Sequence, residues 1–215
     1  MNSNTLNIEN VKQQVITANH VEKGQKYAEY REMIDQLLSQ EKTTGDNHSE
    51  AMLHYTKMNV QRMKRLDKTV KLTEETLESV ARIERPQTWV VITEGWCGDA
   101  AQIVPVLEKI ADSSDKIDLK LILRDENPEV MDAYLTDGAR SIPKLIALDS
   151  ETLEEIGTWG PRPAPAHDMV MEYKETKETT GESYLDFSTR LHRWYAKDKT
   201  QTTQQELNNT LKDWH

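Results

Sequence analysis

The chain has 215 residues, 30% of them charged and 36% hydrophobic, enough to bury a core without disulfides or metal. Its 27 Lys and Arg stand against 37 Asp and Glu, a net charge of −10, the reverse of the basic footprint of a nucleic-acid binder. A single cysteine excludes an intramolecular disulfide and fits a reducing compartment, and no apolar run resembles a secretory leader or a membrane span, so a soluble cytoplasmic protein is expected.

In chain order, residues 1–20 read as a polar, disordered tail. Residues 21–86 read as a helical extension. Tyr27, Tyr30, Ile34 and Leu37 recur at helical spacing, and after a loop at 42–47 so do Met52, Tyr55, Met63, Leu66 and Val70. Lys57 to Lys71 is rich in Lys and Arg and reads as a solvated face rather than a phosphate site. A third helix has Thr73 as its N-cap, Glu74 and Glu75 in its first turn, and a staple from Leu72 to Leu77. Pro86 ends that segment.

From here the period changes. Trp89-Val90-Val91-Ile92 reads as a strand buried on both faces, followed by a turn at Gly95–Gly98 and a helix with Ile103, Leu107 and Ile110 inward. Ile117–Leu123 is a second strand, so the two form a right-handed βαβ unit. Asn127-Pro128 opens a short helix, and Lys144–Leu148 with Leu153–Thr158 form a hairpin. The order is β-α-β-α-β-β. After the stiff run Gly160-Pro161-Arg162-Pro163, helices resume, one of them marked by Tyr184, Phe187, Leu191, Trp194 and Tyr195. A core domain over 87–178 and a C-terminal helical segment over 179–215 are expected.

Cys97 lies between a buried strand and a helix start, where backbone N–H groups and the helix dipole favour a thiolate. Pro105 stands inside that helix, and Ser141-Ile142-Pro143 precedes a later strand. The six histidines show no ligand spacing, so no metal and no cofactor is expected. Trp159 and Tyr134 read as core residues rather than groove walls, and Arg124-Asp125-Glu126 reads equally as a carboxylate cluster or as capping of the helix after Asn127.

Together these features resemble the thioredoxin family over roughly residues 87–165, and the helical additions resemble a bacterial subgroup with a single-cysteine Trp-Cys-Gly-Asp-Ala motif. The resemblance implies an α/β, thioredoxin-like fold, a central mixed sheet with helices on both faces, plus N- and C-terminal helical extensions. It implies Cys97 as the nucleophile. Trp96, Gly98, Asp99, Ile142, a cis Pro143 and Gly160 would shape the substrate groove.

The departures matter as much. Ala100 stands where thioredoxins carry a second cysteine, and Val91 where they carry a buried aspartate. A mixed disulfide on Cys97 would therefore need an outside thiol to resolve it. Asp99 opposes thiolate formation, and Arg140 and Lys144, beside Pro143, are candidate charge partners that could restore it. The expected function is monothiol thiol-disulfide exchange with protein or small-molecule thiols and disulfides. The alternative is a redox-inactive thioredoxin-fold binding module. A cluster-sharing role like that of monothiol glutaredoxins stands behind both, because Cys97-Gly98-Asp99-Ala100 departs from their pattern. An exposed, acidic Cys97 would favour exchange, and a buried, unreactive one would favour binding.

Overall fold

The computed structural model describes residues 14–214. Helices α1 (Ala18–Lys23), α2 (Tyr27–Ser39), α3 (Glu50–Thr69) and α4 (Glu74–Ala81) precede strand β1 (Gln87–Thr93). Helix α5 (Ala100–Ala111), β2 (Ile117–Leu123), α6 (Pro128–Ala133), β3 (Lys144–Asp149) and β4 (Glu155–Trp159) follow. The chain then runs through α7 (Ala164–Thr180), α8 (Tyr184–Asp198) and α9 (Gln201–Leu211).

The sheet order is β2-β1-β3-β4. β1 pairs in parallel with β2 and antiparallel with β3, and β3 forms a hairpin with β4. β1 is buried along its whole length because it is flanked by strands and covered on both faces. Parallel pairing needs a crossover, which α5 supplies. This is a mixed α/β sheet of the thioredoxin type carrying helical extensions at both ends.

Alternation along β1 sends Trp89, Val91 and Thr93 to one face and Thr88, Val90 and Ile92 to the other. On the first face, Trp89 meets Trp214 edge to face at 6.0 Å, just beyond α9, and the Tyr30 hydroxyl of α2 lies 3.3 Å from Thr93 Oγ1. Helix α5, buried at ten of its twelve positions, fills the same layer against α3. The second face is crossed by residues 14–24. Gln14 Nε2 donates to Leu153 O at one end (3.0 Å), and at the other the backbone of Gly24 comes close to the Lys120 side chain. Gln25 then exchanges two backbone hydrogen bonds with Leu121 on the outer edge of β2. The extension thus covers a sheet face and blunts an edge that would otherwise offer unpaired N–H and C=O groups.

Two expectations change. The tail over 1–20 does not hold for residues 14–20, because Ile16 is buried in the core and α1 begins at Ala18; residues 1–13 lie outside the described residues. Thr73 does cap α4, accepting from Thr76 N at 3.1 Å, with Leu72 packed on the core and Leu77 46% exposed. A boundary at 178 falls inside α7, which pairs with α8 around a small cluster of Ala166, Phe187, Leu191 and Tyr195, separate from the main core. Among the described residues no helix is long and apolar enough to cross a membrane.

Candidate functional site: the cleft over Cys97

β1 delivers the chain into the turn at 94–99, and the N-terminal extension fixes that turn. Gly95 N donates to Thr44 Oγ1 (2.9 Å), and Asn59 Nδ2 of α3 donates to Gly95 O (3.0 Å). Glu94 is fully buried here; its Oε1 accepts from Asp125 N at 2.9 Å, its Oε2 has no partner, and burial raises its carboxyl above the usual range. No sequence signal pointed to this residue.

Cys97 follows, only 8% exposed. Its thiol donates toward Ile142 O at 3.4 Å and accepts weakly from Ala100 N at 3.5 Å. Burial, and next the Asp99 carboxylate, push the thiol up to about 12, while the Ala100 N–H and Arg162 pull the other way and lose. The expectation of an acidified sulfur is therefore corrected. The helix terminus is present, but desolvation outweighs it.

Asp99 opens α5 and is held on both oxygens. Arg162 Nε and Nη2 donate to Oδ2 at 2.9 and 2.7 Å, and the Tyr195 hydroxyl donates to Oδ1 at 2.7 Å. The two side chains are 10% and 13% exposed, so this is a nearly buried pair rather than a surface one. Arg162 and Tyr195 were both missed in the sequence. The signal available was Asp99 itself, since a charge at a buried helix start demands a counter-charge.

Arg162 reaches Asp99 because the loop after β4 folds tightly against the one before β3. Gly160 has φ +110°, and a Cβ there would lie 2.5 Å from Pro143 O, so only glycine fits. The Ile142–Pro143 peptide is cis, as is Gly160–Pro161. Ile142 meets Cys97 through its carbonyl, whereas Gly160 and Pro143 touch each other behind the cleft.

Neither proposed charge partner faces the thiol as a free cation. Arg140 borders the cleft, but its Nε and Nη2 are both held at 2.6 Å by Asp132. The Lys144 ammonium, its pKa lowered by burial, points toward Thr136 Oγ1 at 3.4 Å and does not line the cleft. Arg162 takes the place assigned to them. Tyr134 turns away to donate to Glu155 (2.9 Å).

The resulting cleft has a volume of about 540 Å³. Trp96, Cys97 and Gly98 form its floor, and the Arg124 guanidinium lies 4.7 Å from the centre of the Trp96 ring. Tyr55 and Arg62 of α3 make one wall, and Tyr184, Phe187 and His192 of α8 the other. His192 comes so close to Gly98 that a Cβ there would sit 2.8 Å from His192 Nε2. Burial, Arg62 and Arg65 lower His192 to about 4, so the ring is neutral near pH 7. Among the described residues no group of three or more His, Cys, Asp or Glu side chains is placed to hold a metal ion.

Sheet order, crossover helix and motif turn together define a protein of thioredoxin-like class. A family model described as Thioredoxin matches residues 45–177, and the chain belongs to that family. Among solved structures, the crystal structure of an HIV epitope-scaffold is similar, with 17% identity and a TM-score of 0.55, covering 91% of this chain and 96% of that one. A protein of unknown function from Pseudomonas aeruginosa is 18% identical over 84% of this chain and 96% of its own, with a TM-score of 0.49. The first likeness is one of fold alone.

Proposed function

We propose that this thioredoxin-family chain works as a binding protein, holding a partner or small molecule in the cleft over Cys97, with the cysteine kept as a thiol. The observation that carries this reading is the state of the sulfur: 8% exposed, donating to Ile142 O, with the Asp99 carboxylate beside it. Reactive cysteines occupy electropositive, partly exposed surroundings, and buried ones are inert. Arg162 supplies no free positive charge, because Asp99 neutralises it. A thiol with no partner in the chain suits a reducing compartment, so we place the protein in the cytoplasm, in keeping with the bacterial single-cysteine proteins it resembles.

The test is iodoacetamide alkylation of Cys97 as a function of pH, with a Cys97→Ser blank. The binding reading expects no appreciable reaction near pH 7 in the folded protein and ready reaction once unfolded. Half-maximal reaction below the free-thiol value of about 8.5 would overturn it.

One observation favours a second reading. Cys97 borders the cleft, and Ala100 N already points at its sulfur. If Asp99 moved away, Arg162 would face the sulfur without its counter-ion. The thiolate could then attack a disulfide, forming one S–S bond as another breaks and releasing a thiolate. An external thiol would resolve the mixed disulfide by the same exchange, since Ala100 cannot.

A further inference from the structure

Arg62 is a cation without a counter-ion. Its guanidinium, from α3, is partly buried in the cleft wall; Nη1 donates to Asn59 Oδ1 at 2.7 Å, and among the described residues no carboxylate stands within ion-pair distance. Arg65 on the next turn adds a like charge, and burial with that neighbour lowers the pKa of Arg62. Asn59 is itself fully buried and is pinned by its other end to Gly95 O, so Arg62 is held in place rather than left to wander. A desolvated charge that lacks a partner is costly, and most proteins supply the partner internally. Here the nearby Asp99 is already occupied by Arg162 and Tyr195.

A second donor converges on the same spot. Arg65 Nη2 donates to Gln102 Oε1 at 3.3 Å, which fixes the orientation of that amide and leaves Gln102 Nε2 to donate to His192 Nδ1 at 3.1 Å. Gln102 is 4% exposed, so this chain is built into the interior. With Nδ1 accepting, the neutral ring carries its proton on Nε2. That Nε2 stands 2.8 Å from the position a Gly98 Cβ would take, and Arg62 Nη1 stands 3.7 Å from it. With no side chain on Gly98, His192 packs directly on its backbone, and both donors border the cleft beside that residue.

We propose that this cleft binds a small organic carboxylate, its two oxygens taken by the Arg62 guanidinium and the His192 Nε2–H beside Gly98, and its apolar body laid against the paired rings of Tyr55 and Tyr184. One guanidinium and one neutral N–H match the two oxygens of a monoanionic carboxylate. A phosphate dianion would meet too few donors, with the Asp99 carboxylate close by. The Tyr55 and Tyr184 rings, 6.2 Å apart and edge to face, are in contact and line the cleft as one aromatic surface, and Phe187 lies 6.3 Å from Tyr184. A volume of about 540 Å³ is that of a small-molecule site rather than a peptide groove.

The proposal names the ligand class for the binding reading above, and its test separates the two. Benzoate, phenyl phosphate and benzamide are titrated into the full chain, with binding followed by calorimetry and thermal shift. Benzoate is expected to bind at millimolar or better and to raise the melting temperature, with benzamide and phenyl phosphate at least tenfold weaker. Arg62→Gln should weaken benzoate at least tenfold. In the free protein that variant should melt no lower than the parent, and the His192 NMR titration should move up once the neighbouring charge is gone. Equal binding of benzoate and benzamide, an unchanged benzoate affinity in Arg62→Gln, or no benzoate binding at all would overturn the proposal. Tighter phenyl phosphate would overturn the carboxylate assignment. Cys97 alkylation reports on the binding reading alone: an inert Cys97 with no benzoate binding removes only the carboxylate site, whereas a reactive Cys97 with benzoate bound removes only the inert-thiol reading.

Discussion

Strand β1 and helix α8 both position the turn that carries Cys97, and different forces hold them there. Trp89, Val90, Val91 and Ile92 of β1 are fully buried between two covered faces. Helix α8 buries Phe187, Leu191 and Tyr195 but leaves Tyr184 56% and Leu185 65% exposed. Its attachment to the motif turn is polar: Tyr195 to Asp99, and His192 to Gln102. Apolar area is non-directional, so it fixes the sheet as a whole. Hydrogen bonds to a buried carboxylate fix one helix at one angle over one turn. The sheet therefore carries global stability, and the α7–α8 pair carries the shape of the cleft.

The largest effect should come from the sheet. Trp89→Ala removes a fully buried indole, its edge-to-face contact with Trp214 and its donation to Gln87 Oε1 at 2.9 Å. A loss of about 3–5 kcal/mol in urea unfolding is expected, with every probe moving together. Asp99→Ala should cost a comparable amount locally, roughly 3–5 kcal/mol, because it leaves Arg162 buried without a partner. Here the pattern of loss is the test. Amide exchange in α7 and α8 should accelerate while β1 stays protected, and Cys97 alkylation should shift to lower pH because a charge opposing the thiolate is gone. Equal acceleration in β1 and α8 would erase the distinction between the two regions.

That distinction also explains what could be read from the sequence. Strand β1, the crossover to β2 and the inward face of α5 were legible because apolar periodicity is a local record of burial. Thr73 was legible as a cap because its partner, Thr76 N, is three residues away. Cys97, Trp96 and Gly98 were placed by the motif they form. The partner of Asp99 was not legible, because Arg162 lies 63 residues on and Tyr195 lies 96 residues on. Nothing local marks an arginine in a proline-rich loop as a buried counter-ion. His192 read as one more isolated histidine, since its neighbours Gly98 and Gln102 come from another part of the chain. The acidity of Cys97 was misjudged for the same reason: the helix start is visible in sequence, but the burial of the sulfur against Ile142, 45 residues on, is not.

A smaller effect should appear with pH. His192 is lowered from 6.5 to about 4 in the folded chain. Between those values the unfolded chain binds a proton that the folded chain excludes, so stability is present above about 6.5 and is lost as pH falls toward 4. The contribution should be roughly 1–3 kcal/mol, read as the difference between the parent and His192→Gln across that window. If the two pH profiles run parallel, His192 is not held neutral between α8 and the motif turn, and the polar account of that helix weakens.

The smallest effect is expected at Arg140, and its smallness is informative. Arg140 and Lys144 sit beside Pro143, where sequence alone makes them candidate charge partners of the thiol. The Arg140 guanidinium is instead bidentate to Asp132, with both side chains about half exposed at 52% and 51%. Solvent screens such a pair. Arg140→Gln should therefore leave the melting temperature and the pH midpoint of Cys97 alkylation unchanged, where Asp99→Ala shifts the second. Both residues line one cleft. An equal shift in both would place a source of the field at Arg140, and Asp99 would no longer be the charge that sets the state of the sulfur.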